Sequence, residues 1–119
     1  MKIISSKVHG ILDYITVIVF AIAPAVLDLT GIPMALSYTL AIVHLLMTLL
    51  TDFSMGYFKL IPLKFHGWVE FAVGIIIPLT PFVLGFKGVS MYFYVFTGCL
   101  IFIVGLLSHY EENTVKTEC

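Results

Sequence analysis

Long apolar runs separated by short polar intervals dominate the chain. Four such runs lie at 10–27, 34–51, 66–84 and 90–108, and the intervals carry Gly, Pro, Lys and Asp, residues typical of turns and loops. A helix of about 20 apolar residues crosses the roughly 30 Å hydrocarbon core of a bilayer. Each run therefore predicts one transmembrane helix, and the fold class predicted is all-α integral membrane.

The composition agrees with this prediction and excludes some partners. The chain is 61% hydrophobic and only 11% charged, whereas soluble domains are about 25% charged. No segment alternates apolar and polar residues for long, which argues against a membrane β-barrel. The net charge is −1 and there is no basic run, so nucleic acid is not an expected partner.

A sequence repeat organises the chain. With a shift of 57 positions, segment 2–53 aligns without a gap on segment 59–110, and both begin with Lys-x-Ile-x-x-Lys-x-His-Gly-x-x-[Asp/Glu]-[Tyr/Phe]. Matches of leucine or valine are common between apolar sequences, but a match of this polar pattern is not. We therefore predict a single membrane domain over 1–119. It consists of two repeats, 2–53 and 59–110, and ends in a polar tail at 111–119.

The repeat and the lysines together predict the topology. Each repeat contains two spans, so both repeats enter the membrane in the same direction and form parallel tandem hairpins about a pseudo-twofold axis along the membrane normal. Five of the six lysines fall on the side of the two termini, and only Lys87 falls on the other. The positive-inside rule then predicts a multi-pass protein of the inner cell membrane with both termini cytoplasmic.

The repeated segments resemble a known family. Segments 9–14 and 66–71 each start with His-Gly and end with an acid and an aromatic residue, and Pro24 and Pro81 follow in the same helices. In these features the chain resembles the SPW-repeat family of small bacterial membrane proteins. The Ser-Pro-Trp motif itself is degenerate here, reading Ala-Pro-Ala and Thr-Pro-Phe. The resemblance implies a four-helix membrane architecture, and it implies no mechanism.

Ionisable side chains inside the spans are the candidates for chemistry, because burying charge in a membrane is costly. His9 and Asp13 are four residues apart and share a helix face, and His66 and Glu70 repeat this arrangement. His44 lies in the second span, and its repeat counterpart is not ionisable. We expect His44 to be either a packing residue or a protonation switch.

Two further ionisable residues close the second and fourth spans. Asp52 and His109 occupy equivalent positions in the two repeats. We expect both to be solvated helix ends, and they are secondary candidates for the same chemistry.

The paired histidines and acids allow two interpretations. If the first and third spans pack about the axis, His9 and His66 meet at equal depth, and the set could bind a transition metal or place two histidines on a haem iron. Alternatively, the set has a purely structural role. Asp13 and Glu70 lie in the first turns of their helices, where the macrodipole favours negative charge, and they would then serve to fix the depth of these helices in the membrane.

Three functions remain open from the sequence. The chain could be a small binding protein with a His/carboxylate site for a metal or haem. It could instead be a proton- or cation-handling transporter or channel component acting as an oligomer, or a structural subunit of a membrane complex. Its expected partners are the lipid bilayer and either further copies of itself or a membrane complex. No Gly-rich phosphate loop, nucleophile elbow or zinc-ribbon spacing occurs, so an enzyme is not favoured.

Overall fold

The computed structural model describes residues 3–108, which form four consecutive α-helices. They are α1 (Ser6–Val26), α2 (Gly31–Leu50), α3 (Leu63–Leu84) and α4 (Gly88–Leu107). Each is long and apolar enough to cross a membrane. This confirms the all-α class and the four spans, and each helix begins a few residues before the apolar run that predicted it.

Tight turns join the helices into two hairpins, in which α1 packs on α2 and α3 packs on α4. The second turn begins at Gly85, whose φ of 76° is left-handed, and Asp28 has a φ of 54° at the equivalent position of the first turn. Glycine takes this conformation freely, and aspartate is among the few other residues that visit it. Both turns are therefore short enough to keep the helices of each hairpin side by side.

The helices of the second hairpin approach each other closely at two glycines. A Cβ added to Gly98 of α4 would lie 2.6 Å from the backbone nitrogen of Pro78, and one added to Gly74 of α3 would lie 2.7 Å from the Cα of Phe102. Small residues let helix backbones come into contact inside a membrane, where the hydrophobic effect does not drive association. These glycines therefore fix the spacing of α3 and α4.

A small buried core connects the two hairpins away from the beginnings of α1 and α3. The ring of Phe20 in α1 meets that of Phe93 in α4 edge-on, with centroids 5.7 Å apart. The hydroxyl of the fully buried Tyr94 donates to the carbonyl oxygen of Pro33 at 2.6 Å. Many other large apolar side chains point outwards, as Phe82 and Val83 do. An apolar exterior of this kind fits contact with lipid tails.

Matching backbone bonds tie each repeat to the other at the end where α1 and α3 begin. The N–H of Ile4, just before α1, donates to the carbonyl of Leu107 at the end of α4 (2.8 Å). The N–H of Ile61, just before α3, donates to the carbonyl of Leu50 at the end of α2 (2.7 Å). The two donors, Ile4 and Ile61, are 57 positions apart in the sequence, and so are the two acceptors, Leu50 and Leu107. This is the shift of the sequence repeat. The pseudo-twofold axis along the membrane normal stays a prediction.

We expect Gly98→Val to destabilise the protein by about 1–3 kcal/mol, because the added side chain would overlap Pro78 and force the helices apart. The measurement is thermal unfolding in a mild detergent. Cys99→Val is the matched control, since Cys99 is the next residue of α4 and is exposed. Equal unfolding midpoints for the two variants would contradict the close packing.

Candidate metal centre

Four ionisable side chains from two helices converge on one point. His9 and Asp13 come from α1, and His66 and Glu70 come from α3, each pair separated by one helical turn. One nitrogen or oxygen of each residue lies within 4.8 Å of the corresponding atoms of the other three. All four side chains are buried, with exposures between 1% and 4%. The two pairs expected from the sequence thus form a single cluster, which we call the His/carboxylate cluster.

Each carboxylate of the cluster lies between the two histidines. The carboxylate oxygens of Asp13 are 3.2 Å from His9 Nε2 and 3.1 Å from His66 Nε2. Those of Glu70 are 3.1 Å from His9 Nε2 and 3.4 Å from His66 Nε2. Every acid therefore contacts the histidine of its own helix and the histidine of the other helix.

His44 of α2 reaches the same carboxylates. Its Nε2 lies 3.3 Å from Asp13 Oδ1 and 3.4 Å from Glu70 Oε2, and its side chain is 12% exposed. The repeat gave no sign of this contact, because the counterpart of His44 is Ile101, an apolar residue. The structure brings together all five of the main candidate residues from the sequence.

Two hydroxyl groups hold the outer nitrogens of the paired histidines. Ser108 Oγ lies 2.6 Å from His9 Nδ1, and Thr51 Oγ1 lies 2.7 Å from His66 Nδ1. Both hydroxyls also donate to the backbone carbonyl four residues earlier. A hydroxyl has one proton to give, so each must accept from an Nδ1–H. Nothing in the sequence sets these two hydroxyls apart from others in the chain except that the shift of 57 positions aligns Thr51 with Ser108.

This bonding leaves the Nε2 atoms of a neutral His9 and His66 with a lone pair directed at the carboxylates. An unshared pair facing a carboxylate oxygen at about 3 Å is repulsive unless a positive charge lies between them. The contact of His66 Nε2 with Asp13 Oδ2, although 3.1 Å long, does not have hydrogen-bond geometry. A proton on each Nε2 or a cation shared by the four side chains would supply that charge.

The distances and charges of the cluster fit a divalent ion. The four donor atoms lie within 4.8 Å of one another, so one ion could contact all four, and the contacts between the histidines and the carboxylates are 3.1–3.4 Å long. Two ionised carboxylates carry two negative charges, which a divalent cation would neutralise without protonating any histidine. Metal-ligating histidines usually donate their other ring N–H to an oxygen acceptor, and the hydroxyls of Ser108 and Thr51 take that position here.

The connection between α2 and α3 closes the cluster at the beginning of α1. Phe53 is 3% exposed, and its ring centroid is 6.1 Å from that of His66. The hydroxyl of Tyr14 donates to the carbonyl of Met55 at 2.8 Å. A Cβ on Gly10 would lie 2.5 Å from the Cβ of Met55. The glycine that follows His9 is therefore needed for the connection to cover the cluster.

The secondary candidates are not part of the cluster as described. Asp52 is exposed, and its backbone N–H donates to the carbonyl of Ile61 at 2.7 Å. His109 lies outside the described residues, as does the polar tail.

Comparison with protein families confirms the family resemblance. The model of the SPW repeat domain matches residues 7–108, which include all four helices except the first residue of α1. Neither the curated proteins nor the solved structures gave a match.

The hydrogen bonds to the two hydroxyls make a spectroscopic prediction. At neutral pH, ¹⁵N NMR of the histidine rings should show a proton on Nδ1 of both His9 and His66. Ser108→Ala removes the acceptor of His9 alone and should shift its signals while those of His66 stay. Ser90→Ala, half-buried on the same helix with its hydroxyl donating to the carbonyl of Lys87, is the control. An unprotonated Nδ1 in either histidine of the unmodified protein would contradict the assignment.

Proposed function

The chain belongs to the SPW repeat family, and we propose that it is a metal-binding membrane protein whose His/carboxylate cluster holds one divalent transition-metal ion. The observation that carries this proposal is the convergence of His9, Asp13, His66 and Glu70, from two helices, within 4.8 Å. Burial supports it further, because two carboxylates in an apolar bundle need a positive charge nearby.

The donor set supports a borderline metal such as Zn²⁺, Fe²⁺ or Mn²⁺. Imidazole nitrogen suits zinc and iron, and carboxylate oxygen suits manganese as well. Ca²⁺ and Mg²⁺ prefer sites built from oxygen alone. Among the described residues the cluster offers no thiolate, since Cys99 is exposed on α4, and this argues against Cu⁺ and iron–sulfur clusters. His44 would supply a fifth ligand or a hydrogen bond to the carboxylates.

An ion fits the cluster better than haem does. The rings of His9 and His66 have centroids 5.7 Å apart and an interplanar angle of 77°. A porphyrin between them would have to occupy the space beside both Nε2 atoms. The carboxylates of Asp13 and Glu70 lie there, each within 3.4 Å of both nitrogens. The nitrogen and oxygen donors suit a metal ion, but the position of the two carboxylates argues against a porphyrin ring between the histidines.

Proton handling is the alternative function that the same cluster could perform. Two imidazolium groups would balance Asp13 and Glu70 as well as one divalent ion would, and such a cluster could pass protons. The two proposals differ in composition, because only one of them requires metal in the purified protein.

We also propose that the cluster lies at the cytoplasmic end of the bundle, in the inner cell membrane. The bundle end at which α1 and α3 begin carries Lys7, Lys59 and Lys64, whereas Lys87 lies in the opposite turn. An excess of lysine marks cytoplasmic loops. A cytoplasmic site would exchange its ion with the buffered metal pool of the cell.

Metal content tests the proposed function directly. Protein purified in mild detergent through a histidine-free tag, without chelators, should contain close to one equivalent of metal by mass spectrometry. His9→Ala combined with His66→Ala should reduce this by about tenfold or more, because two of four ligands are lost. Asp28→Asn, which removes a carboxylate in the α1–α2 turn, should keep its metal.

Circular dichroism controls for folding in these three proteins. Unmodified protein that is folded, but stays free of metal after equilibration with Zn²⁺, Fe²⁺ and Mn²⁺ in turn, would refute the metal site and leave proton handling as the better reading of the cluster.

A further inference from the structure

A cavity of about 280 Å³ opens between α1 and α4 and ends at the His/carboxylate cluster. Asp13, His44 and Glu70 line its inner end. Its walls include Ile15 and Phe96, which are 50% and 65% exposed on the outer face of the bundle. The cavity, which we call the lateral cleft, therefore leads from the lipid-facing surface to the buried carboxylates.

The equivalent position in the other half of the bundle is almost filled. Between α2 and α3 the cavity has only about 30 Å³. Leu40 and Met47 line it, and the residues 57 positions later are Thr97 and Val104, which line the lateral cleft. The smaller side chains of α4 thus leave space where the larger ones of α2 fill it. The repeat does not require this opening, which within residues 3–108 is wide between α1 and α4 and narrow between α2 and α3.

Most polar atoms around the cleft accept hydrogen bonds, and Nε2 of His44, which can donate, already faces Asp13 and Glu70 at 3.3 Å and 3.4 Å. Thr16 and Thr97 each donate their hydroxyl proton to the backbone carbonyl four residues earlier, at 2.8 Å and 2.7 Å, so only their lone pairs remain. The ionised carboxylates of Asp13 and Glu70 also only accept. A molecule whose head reaches the inner end therefore has to bring an O–H or N–H donor.

Size and lining narrow the class of molecule further. An apolar cavity of about 150 Å³ is enough to bind benzene, so a cavity of about 280 Å³ has room for a substituted aromatic ring. The walls are aliphatic or aromatic apart from the two threonines, and the mouth faces lipid. An apolar tail would remain in the bilayer while the ring enters beside Phe96.

We propose that the lateral cleft binds a lipid-soluble phenol, such as the head of a hydroquinone, with its hydroxyl directed at Asp13 and Glu70. The proposal deepens the proposed function, since the hydroxyl oxygen would arrive next to the bound ion and could join its ligands. It does not depend on the ion, because the carboxylates accept the hydrogen bond with or without it.

The test compares two probes that differ by one donor. 4-Hexylphenol has the hydroxyl, and 4-hexylanisole carries a methyl ether in its place. Both are titrated into the protein in lipid nanodiscs, and saturable binding is measured by equilibrium dialysis against empty nanodiscs. The phenol should bind saturably. The affinity of the anisole should be lower by about tenfold or more, as expected when one hydrogen bond to a charged group is lost.

A variant that fills the cleft provides the second comparison. Thr97→Leu with Val104→Met copies the residues of the filled half into α4 and should weaken phenol binding about tenfold or more while metal content stays unchanged. Leu106→Met, on an exposed position of the same helix, should bind like the unmodified protein. If the double variant does not fold, Thr97→Leu alone replaces it.

The outcomes separate this proposal from the metal site. Saturable phenol binding that the filled variant loses supports the cleft, even in protein that contains no metal. Metal-loaded protein with no saturable phenol binding overturns the cleft and leaves the metal site standing. Equal affinity for phenol and anisole, or equal phenol binding by the filled variant, also overturns the proposal.

Discussion

Two carboxylates buried in an apolar helix bundle have to be matched by positive charge, and the surroundings of Asp13 and Glu70 are arranged around that requirement. Three histidines contact both acids at 3.1–3.4 Å. An uncompensated buried charge costs several kcal/mol, so the helices that carry the acids cannot be held at this depth without a cation or protons. Because Asp13 lies on α1 and Glu70 on α3, the same need favours keeping these two helices together.

The sequence repeat allows a short chain to form such a site. One helix of each hairpin supplies a histidine and an acid, while the other ends in a hydroxyl that holds the histidine of the opposite repeat. Ser108 at the end of α4 contacts His9, and Thr51 at the end of α2 contacts His66. The backbone bonds of Ile4 and Ile61 to the opposite repeat follow the same pattern. Each half of the site is therefore completed by the other half of the chain.

Much of this arrangement could be predicted from the sequence. The apolar runs indicated the four helices, and the spacing of four residues put His9 beside Asp13 on one helix face. The contact of His44 could not be predicted, because it depends on how α2 crosses α3 and its repeat counterpart is Ile101. The lateral cleft could not be predicted from the sequence either, since it arises from the difference in side-chain volume between Thr97 and Leu40.

X-ray absorption at the metal edge of the zinc-loaded protein would test the central claim most directly, because it reports the atoms around the ion. We predict a first shell of nitrogen and oxygen at about 2.0–2.2 Å, with outer scattering from at least two imidazoles. His66→Ala should remove the contribution of one imidazole. A shell of sulfur at about 2.3 Å, or of oxygen without imidazole scattering, would contradict a metal held by His9 and His66.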